Sequence, residues 1–214
     1  MNSKQLICGL RDNVKKAYNK ELNIIKKLAE ASHILRGHVS SMSSIVEDEI
    51  AQFILKATSK KWKIFLDSSV SVKRNHKRTQ TFRPDLLLLD EKENVKAIFE
   101  IKTSMGYYRN AIEVIDKLID MHTTFIKEHS IQCSFSRKGK NKPLRKDAKY
   151  PKGVKCFIIT YSDNACDEKY HIQNKKMAQR KGIKHFVLFK GWYDEAEMRY
   201  DDILNFIEQL KKLK

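Results

Sequence analysis

The sequence predicts an α/β fold in which a central mixed sheet carries helices on both faces. Three observations predict it. Apolar residues recur at helical spacing at both ends of the chain, short apolar runs typical of strands fill its middle, and strand and helix patterns alternate through its second half. A chain of 214 residues suits one domain, 1–214, built from an N-terminal helical extension (1–40), a core (41–190) and a C-terminal helix (191–214). Hydrophobic residues make up 41% and charged residues 32%, with three Pro and seven Gly, which fits a folded chain and not a disordered one.

Taken in order, residues 3 to 30 place Ile7, Leu10, Val14, Ala17, Ile25 and Leu28 at helical intervals. They predict a long amphipathic helix that ends before Gly37, with Asn19 as the place for a break. A second helix is expected from Ser44 to Ala57, since Val46, Ile50, Phe53 and Ile54 share one face and Ser44 with Glu47 fits a capping box. Three strands follow. Trp62, Ile64 and Leu66 alternate with other residues, Leu86 to Leu89 form a continuous apolar run, and Val95 to Ile101 is a third, joined to the second by the polar turn Asp90 to Asn94 as a hairpin.

Helical spacing returns from Ala111 to Ile126, and a basic loop is expected from Arg137 to Lys149. Lys155 to Tyr161 reads as a strand, 164 to 180 as a weakly patterned helix, and His185 to Phe189 as another strand. A last helix from about Asp194 carries Ile203, Phe206, Ile207 and Leu210 on one face. No internal repeat is present.

Composition narrows the class of function. No stretch approaches the ~18 apolar residues that span a bilayer, and Met1-Asn2-Ser3-Lys4 does not open a secretory signal, so a cytoplasmic protein without membrane contact is expected. Cys8, Cys133, Cys156 and Cys166 are scattered without a CxxC pair and read as reduced, mostly packed thiols. No Gly-rich phosphate loop appears, which argues against a nucleotide cofactor. The seven histidines show no HxH or HExxH spacing, and His122 lies on an apolar helical face as a core residue would. Most telling is 43 Lys and Arg against 26 Asp and Glu, a formal +17. Such an excess repels itself unless a polyanion is the partner, and nucleic acid is the leading one, ahead of an anionic membrane surface.

Strand periodicity puts Glu100 and Lys102 on one face of the third strand and turns Phe99 and Ile101 to the other. Asp85 follows Pro84 at the start of the buried Leu86–Leu89 strand, so the hairpin brings Asp85 toward Glu100. Two carboxylates placed together repel unless a hard cation lies between them, and an oxygen site open to water and phosphate suits Mg²⁺. A lysine on the same face can orient a water and balance charge that builds on a phosphate. Asp85, Glu100 and Lys102 are therefore the candidate catalytic set for metal-assisted phosphodiester hydrolysis. Their plain structural readings are a turn cap for Asp85 and a solvated charge pair for Glu100 and Lys102.

Pro84-Asp85, fourteen intervening residues and Glu100-Ile101-Lys102 resemble the PD-(D/E)XK motif of the restriction-endonuclease-like nucleases. The resemblance lies in motif and element order over residues 41 to about 190. It implies an αβββαβ core, Asp85 and Glu100 as ligands of one or two Mg²⁺ ions, Lys102 beside the attacking water, and a 5′-phosphate product. In many members a glutamate on the first core helix completes the metal site. Glu47 stands where that residue is expected, with Glu49 the second choice, though Glu47 also reads as the partner of Ser44 in a capping box.

Two basic clusters are expected to grip DNA phosphates. Lys73, Arg74, Lys77 and Arg78 precede Asp85, and Arg137, Lys138, Lys140, Lys142, Arg145 and Lys146 lie in the expected loop, with Arg109 near the start of the next helix. A solvated basic loop is the plain reading of both. The expected function is a Mg²⁺-dependent endonuclease on double-stranded DNA, most typically a type II restriction enzyme working as a homodimer. A structure-selective nuclease resembling a Holliday-junction resolvase and a non-catalytic nucleic-acid-binding module are the alternatives.

Overall fold

The computed structural model describes residues 3–32, 42–58, 62–72, 80–105, 108–135, 144–163, 166–193 and 196–213. Among these, five helices and ten strands form an α/β architecture. The elements are α1 (Ser3–Ser32), α2 (Ser43–Thr58), β1 (Lys63–Leu66), β2 (Ser69–Val72), β3 (Gln80–Phe82), β4 (Leu86–Leu89), β5 (Val95–Lys102), α3 (Tyr108–Glu128), β6 (Ser130–Phe135), β7 (Leu144–Lys149), β8 (Lys155–Ser162), α4 (Glu168–Arg180), β9 (Lys184–Lys190), β10 (Glu197–Met198) and α5 (Tyr200–Lys211).

The central sheet is mixed, with order β1-β4-β5-β8-β9-β10. The expected hairpin is β4–β5, antiparallel with Leu86 opposite Phe99 and Leu88 opposite Ala97. Its turn closes on Asp90, whose carboxylate accepts from the backbone of Lys92 and Asn94, while Glu93 takes a positive φ of 63°. Strands β5, β8 and β9 run parallel, and α3 and α4 lie on the crossovers that parallel pairing demands.

The four consecutive leucines of β4 follow from its central place. Leu86 and Leu88 enter the core shared with α1, α2 and α5, whereas Leu87 and Leu89 enter the core shared with α3 and α4. A strand covered on both faces loses the polar alternation of a surface strand. Burying each leucine fully contributes roughly 1.5–3 kcal/mol, so a charge at Leu87 would cost the fold heavily.

A second, antiparallel sheet, β3-β2-β6-β7, was not expected. Its inward side chains Val70, Val72, Ile131, Cys133 and Ala148 pack into the α3 and α4 core. Ser69-Val70-Ser71-Val72 is too short and too polar to stand out as a strand, and the Leu144–Lys149 part of the expected basic loop is in fact β7, paired along its length with β6. Backbone pairing with β6 satisfies a segment whose own side chains are mostly charged.

Smaller corrections have local causes. Helix α1 continues through Asn19 without a break. Helix α2 begins at Ser43, and the Ser43 hydroxyl donates to Glu47 Oε1 at 2.8 Å, so Glu47 is held by Ser43 and not through a box with Ser44. Helix α4 starts only at Glu168, where the Asp167 side chain accepts from Lys169 N. The last helix starts at Tyr200, after β10 has paired with the end of β9. His122 is half-buried, with Nδ1 2.7 Å from the Tyr150 hydroxyl.

No described helix is long and apolar enough to cross a membrane. All four cysteines are free thiols, and burial pushes those of Cys133 and Cys156 up to about 12, which leaves them unreactive at neutral pH.

Candidate active site

One step beyond the Leu86–Phe99 pair of the hairpin, Asp85 and Glu100 stand across from each other. Antiparallel pairing with a period of two puts both side chains on the α3 face of the sheet, in step with Leu87 and Ile98. Asp85 Oδ2 accepts from the backbone N–H of Ile101 at 2.6 Å, which ties the carboxylate to β5. On the other side the Asp85 carbonyl accepts from Asp67 N at 2.9 Å, where the chain leaves β1.

Lys102 joins the two acids. Its Nζ lies 2.7 Å from Glu100 Oε1 and 3.4 Å from Asp85 Oδ2. The three side chains differ in exposure: Glu100 is 1% exposed, Asp85 17% and Lys102 30%. The site thus opens to solvent past Lys102 and Asp85, with Glu100 at its floor.

Burial, and then the charge of Glu100, hold the Asp85 carboxyl above its ordinary value, against the pull of Lys102 and the Ile101 N–H. Burial alone would lower the pKa of Lys102, but the charges and hydrogen bonds of Glu100 and Asp85 outweigh it and raise the value. Lys102 is therefore an ammonium at neutral pH. Glu47 is half-buried on α2 and also held high, by burial first and then by the charges of Asp85 and Asp67, against the Ser43 hydrogen bond. Glu49, the second choice, turns to α1, where its Oε2 accepts from Asn13 Nδ2 at 2.8 Å.

The structure adds a residue that had no signal in the sequence. Lys117 reaches down from α3, and its Nζ lies 3.2 Å from Glu100 Oε1, the oxygen that also receives Lys102. In the sequence it is one of 43 Lys and Arg, and only the packing of α3 over β5 brings it to the acids. Arg83 also lies at the rim, paired with Asp67 at 3.4 Å, but both side chains are more than 60% exposed and the pair adds little to stability.

Glu100 Oε2 is buried without a hydrogen-bond partner among the described residues, and a raised Asp85 stands opposite. Both features suit a Mg²⁺ ion, which binds through one or two carboxylates and keeps its remaining positions for water and phosphate. Among the described residues no cluster of three or more His, Cys, Asp or Glu side chains is arranged as a metal centre, so protein ligation would rest mainly on Asp85 and Glu100.

The expected DNA-contacting residues divide. Lys73, Arg74, Lys77, Arg78, Arg137, Lys138, Lys140 and Lys142 lie outside the described residues. Arg109 falls in the first turn of α3, its side chain likewise outside the described part. Arg145 and Lys146 are exposed strand residues of β7, with Lys146 Nζ 5.8 Å from the centre of the Phe65 ring. Phe65 pairs with Leu87, two residues along the chain from Asp85.

No family model, curated protein or solved structure matches this chain.

Proposed function

We propose that the chain is a divalent-cation-dependent endonuclease that hydrolyses phosphodiester bonds of double-stranded DNA and leaves 5′-phosphates. One observation carries the reading: Asp85 and Glu100 face each other on adjacent antiparallel strands, and the Lys102 ammonium contacts both, at 3.4 and 2.7 Å. The resemblance of Pro84-Asp85 and Glu100-Ile101-Lys102 to the PD-(D/E)XK motif supports it independently, as does the formal +17 of the chain.

Asp85 and Glu100 would hold one or two Mg²⁺ ions, with Glu47 beside them. Such an ion supplies Lewis-acid stabilisation of the phosphate and makes a nearby water more acidic. The chain's own groups do the rest. Lys102, kept protonated by the two acids, acts as a donor that orients the attacking water and meets negative charge on the phosphate, and not as a base. The Ile101 N–H fixes the Asp85 carboxylate, so the donor set is held by backbone before substrate arrives. Lys146, over the Phe65 ring, would help steer the backbone, with Arg145 and the two basic segments 73–78 and 137–142 adding phosphate contacts.

A type II restriction enzyme is the specific form we favour, working as a homodimer so that both strands are cut. Tyr200 and Leu204, exposed one turn apart on α5, support a self-association face there. Incubating the purified protein with plasmid and genomic DNA, in Mg²⁺ or EDTA, beside an Asp85→Ala variant tests the whole reading. Discrete fragments that need Mg²⁺ and Asp85 are expected. Cleavage of branched DNA alone would move the assignment to a structure-selective nuclease. Equal cleavage by the variant would remove Asp85 from the site, and Mg²⁺-indifferent binding with no nicking would make the chain a binding module. A monomer in sedimentation with DNA bound would overturn the dimer.

A further inference from the structure

Glu100 Oε1 accepts from two ammonium groups at once, Lys102 at 2.7 Å and Lys117 at 3.2 Å, while Oε2 has no partner among the described residues. Among the described residues Asp85 receives one ammonium, Lys102, at the longer 3.4 Å, beside the Ile101 N–H. Among these same residues, the two carboxylates are thus contacted by two ammonium groups. The two lysines are not equivalent. Lys102 is anchored on β5 two residues from Glu100 and 30% exposed, whereas Lys117 hangs from a helix and is 54% exposed, at the end of four rotatable bonds.

Glu100 is buried, but the Lys117 end of the pair is half-exposed, so its ammonium can leave for solvent when a stronger partner takes the carboxylate. A dication lodged between Asp85 and Glu100 would repel any ammonium within a few ångströms of it. Of the two, Lys117 is the one free to leave, and solvent, from which a DNA backbone approaches, is where its side chain can go.

We infer that Lys117 is a built-in counter-cation: it neutralises Glu100 while the site is empty, competes with the divalent ion for that carboxylate, and turns to the DNA backbone once displaced. The inference rests on the reading of Asp85 and Glu100 as cation ligands, and adds to it a residue that sets how tightly the ion is held. Removing Lys117 then has opposite effects on the two ligands, tightening the ion and loosening the DNA, whereas a merely structural lysine would loosen both.

The test is Mn²⁺ binding to the full chain without DNA, followed by the EPR signal of the free ion, for wild type, Lys117→Met and Lys117→Arg. Circular dichroism would confirm that the half-exposed position tolerates both changes. Lys117→Met should bind Mn²⁺ about fivefold more tightly than wild type, and Lys117→Arg about as wild type does. In Ca²⁺, fluorescence anisotropy should show duplex DNA held about fivefold more weakly by Lys117→Met. An unchanged or weaker Mn²⁺ affinity of Lys117→Met, or an equal gain in Lys117→Arg, overturns the inference while leaving the site reading in place. A wild type that takes up no Mn²⁺ overturns both, and is a separate result.

Discussion

Asp85 Oδ2 accepts from the backbone N–H of Ile101 at 2.6 Å, so the first acid of the site is bound to the strand that carries the second. Register alone would put Asp85 near Glu100, but this bond fixes which way the carboxylate points. It also keeps two like charges together that would otherwise separate.

The cost of that arrangement is measurable. Asp85 is raised above its ordinary 3.8 by burial and by Glu100, so its ionised form destabilises the fold at neutral pH. Asp85→Asn removes the charge and keeps an oxygen for the Ile101 N–H. In EDTA its melting temperature should rise by roughly 2–4 °C. Mg²⁺-dependent cleavage should fall by at least roughly a hundredfold. A lower melting temperature in EDTA would contradict the electrostatic account of the site.

Under the proposed function, protons and the divalent ion would compete for the same oxygens. Because Asp85 and Glu47 both lie above their ordinary values of 3.8 and 4.5, ion affinity should start to fall at a higher pH than unperturbed carboxylates would dictate. A Mn²⁺ titration series from pH 8 downward reads this. A loss confined to the ordinary carboxylate range would mean that the acids do not act as a coupled pair.

The two glutamates of α2 should separate cleanly. Glu47 senses Asp85, so Glu47→Gln should reduce cleavage about tenfold with little change in folding. Glu49 pairs with Asn13 of α1, so Glu49→Gln should leave cleavage intact and lower stability by less than about 1 kcal/mol. Plasmid nicking and urea midpoints on both variants check this, and the reverse pattern would exchange the assignments.

Acid should weaken the fold through histidine. His185 Nε2 lies 2.9 Å from the Thr160 hydroxyl, and burial, with the charges of Lys175 and His171, brings its pKa from 6.5 down to about 3. His171, fully buried on α4, is lowered too, by burial and then by Arg199, partly offset by Asp163 and Glu168. A depressed histidine binds its proton more readily in the unfolded chain, so stability is complete above about pH 6.5 and falls as the pH drops toward about 3. Urea unfolding at pH 7.5 and 5.0 should show a lower midpoint at 5.0, and His185→Gln should flatten the difference. Equal slopes in the variant and wild type would assign the acid sensitivity elsewhere.

Much of the fold was legible because the signals are local. The helical intervals of α1, α2, α3 and α5, the apolar run of β4 and the Asp90–Asn94 turn each depend on neighbours within a few residues. The second sheet was not, since Ser69 to Val72 and Leu144 to Lys149 are held as strands by pairing with β6, which lies far from β2 in sequence, and β2 also with β3. Local preference is weak there, and the partner decides.

For the candidate site the division is similar. Spacing by itself determined that Glu100 and Lys102 share a face, and Pro84 with the leucine run determined that Asp85 opens the neighbouring strand, because strand period and hairpin register are set by the chain's own pattern. Tertiary structure decided which glutamate of α2 senses Asp85, that Lys102 contacts both carboxylates, and that Lys117 reaches Glu100. Those contacts join side chains from separate elements, and their positions depend on how α2 and α3 pack on the sheet, which no run of neighbouring residues encodes.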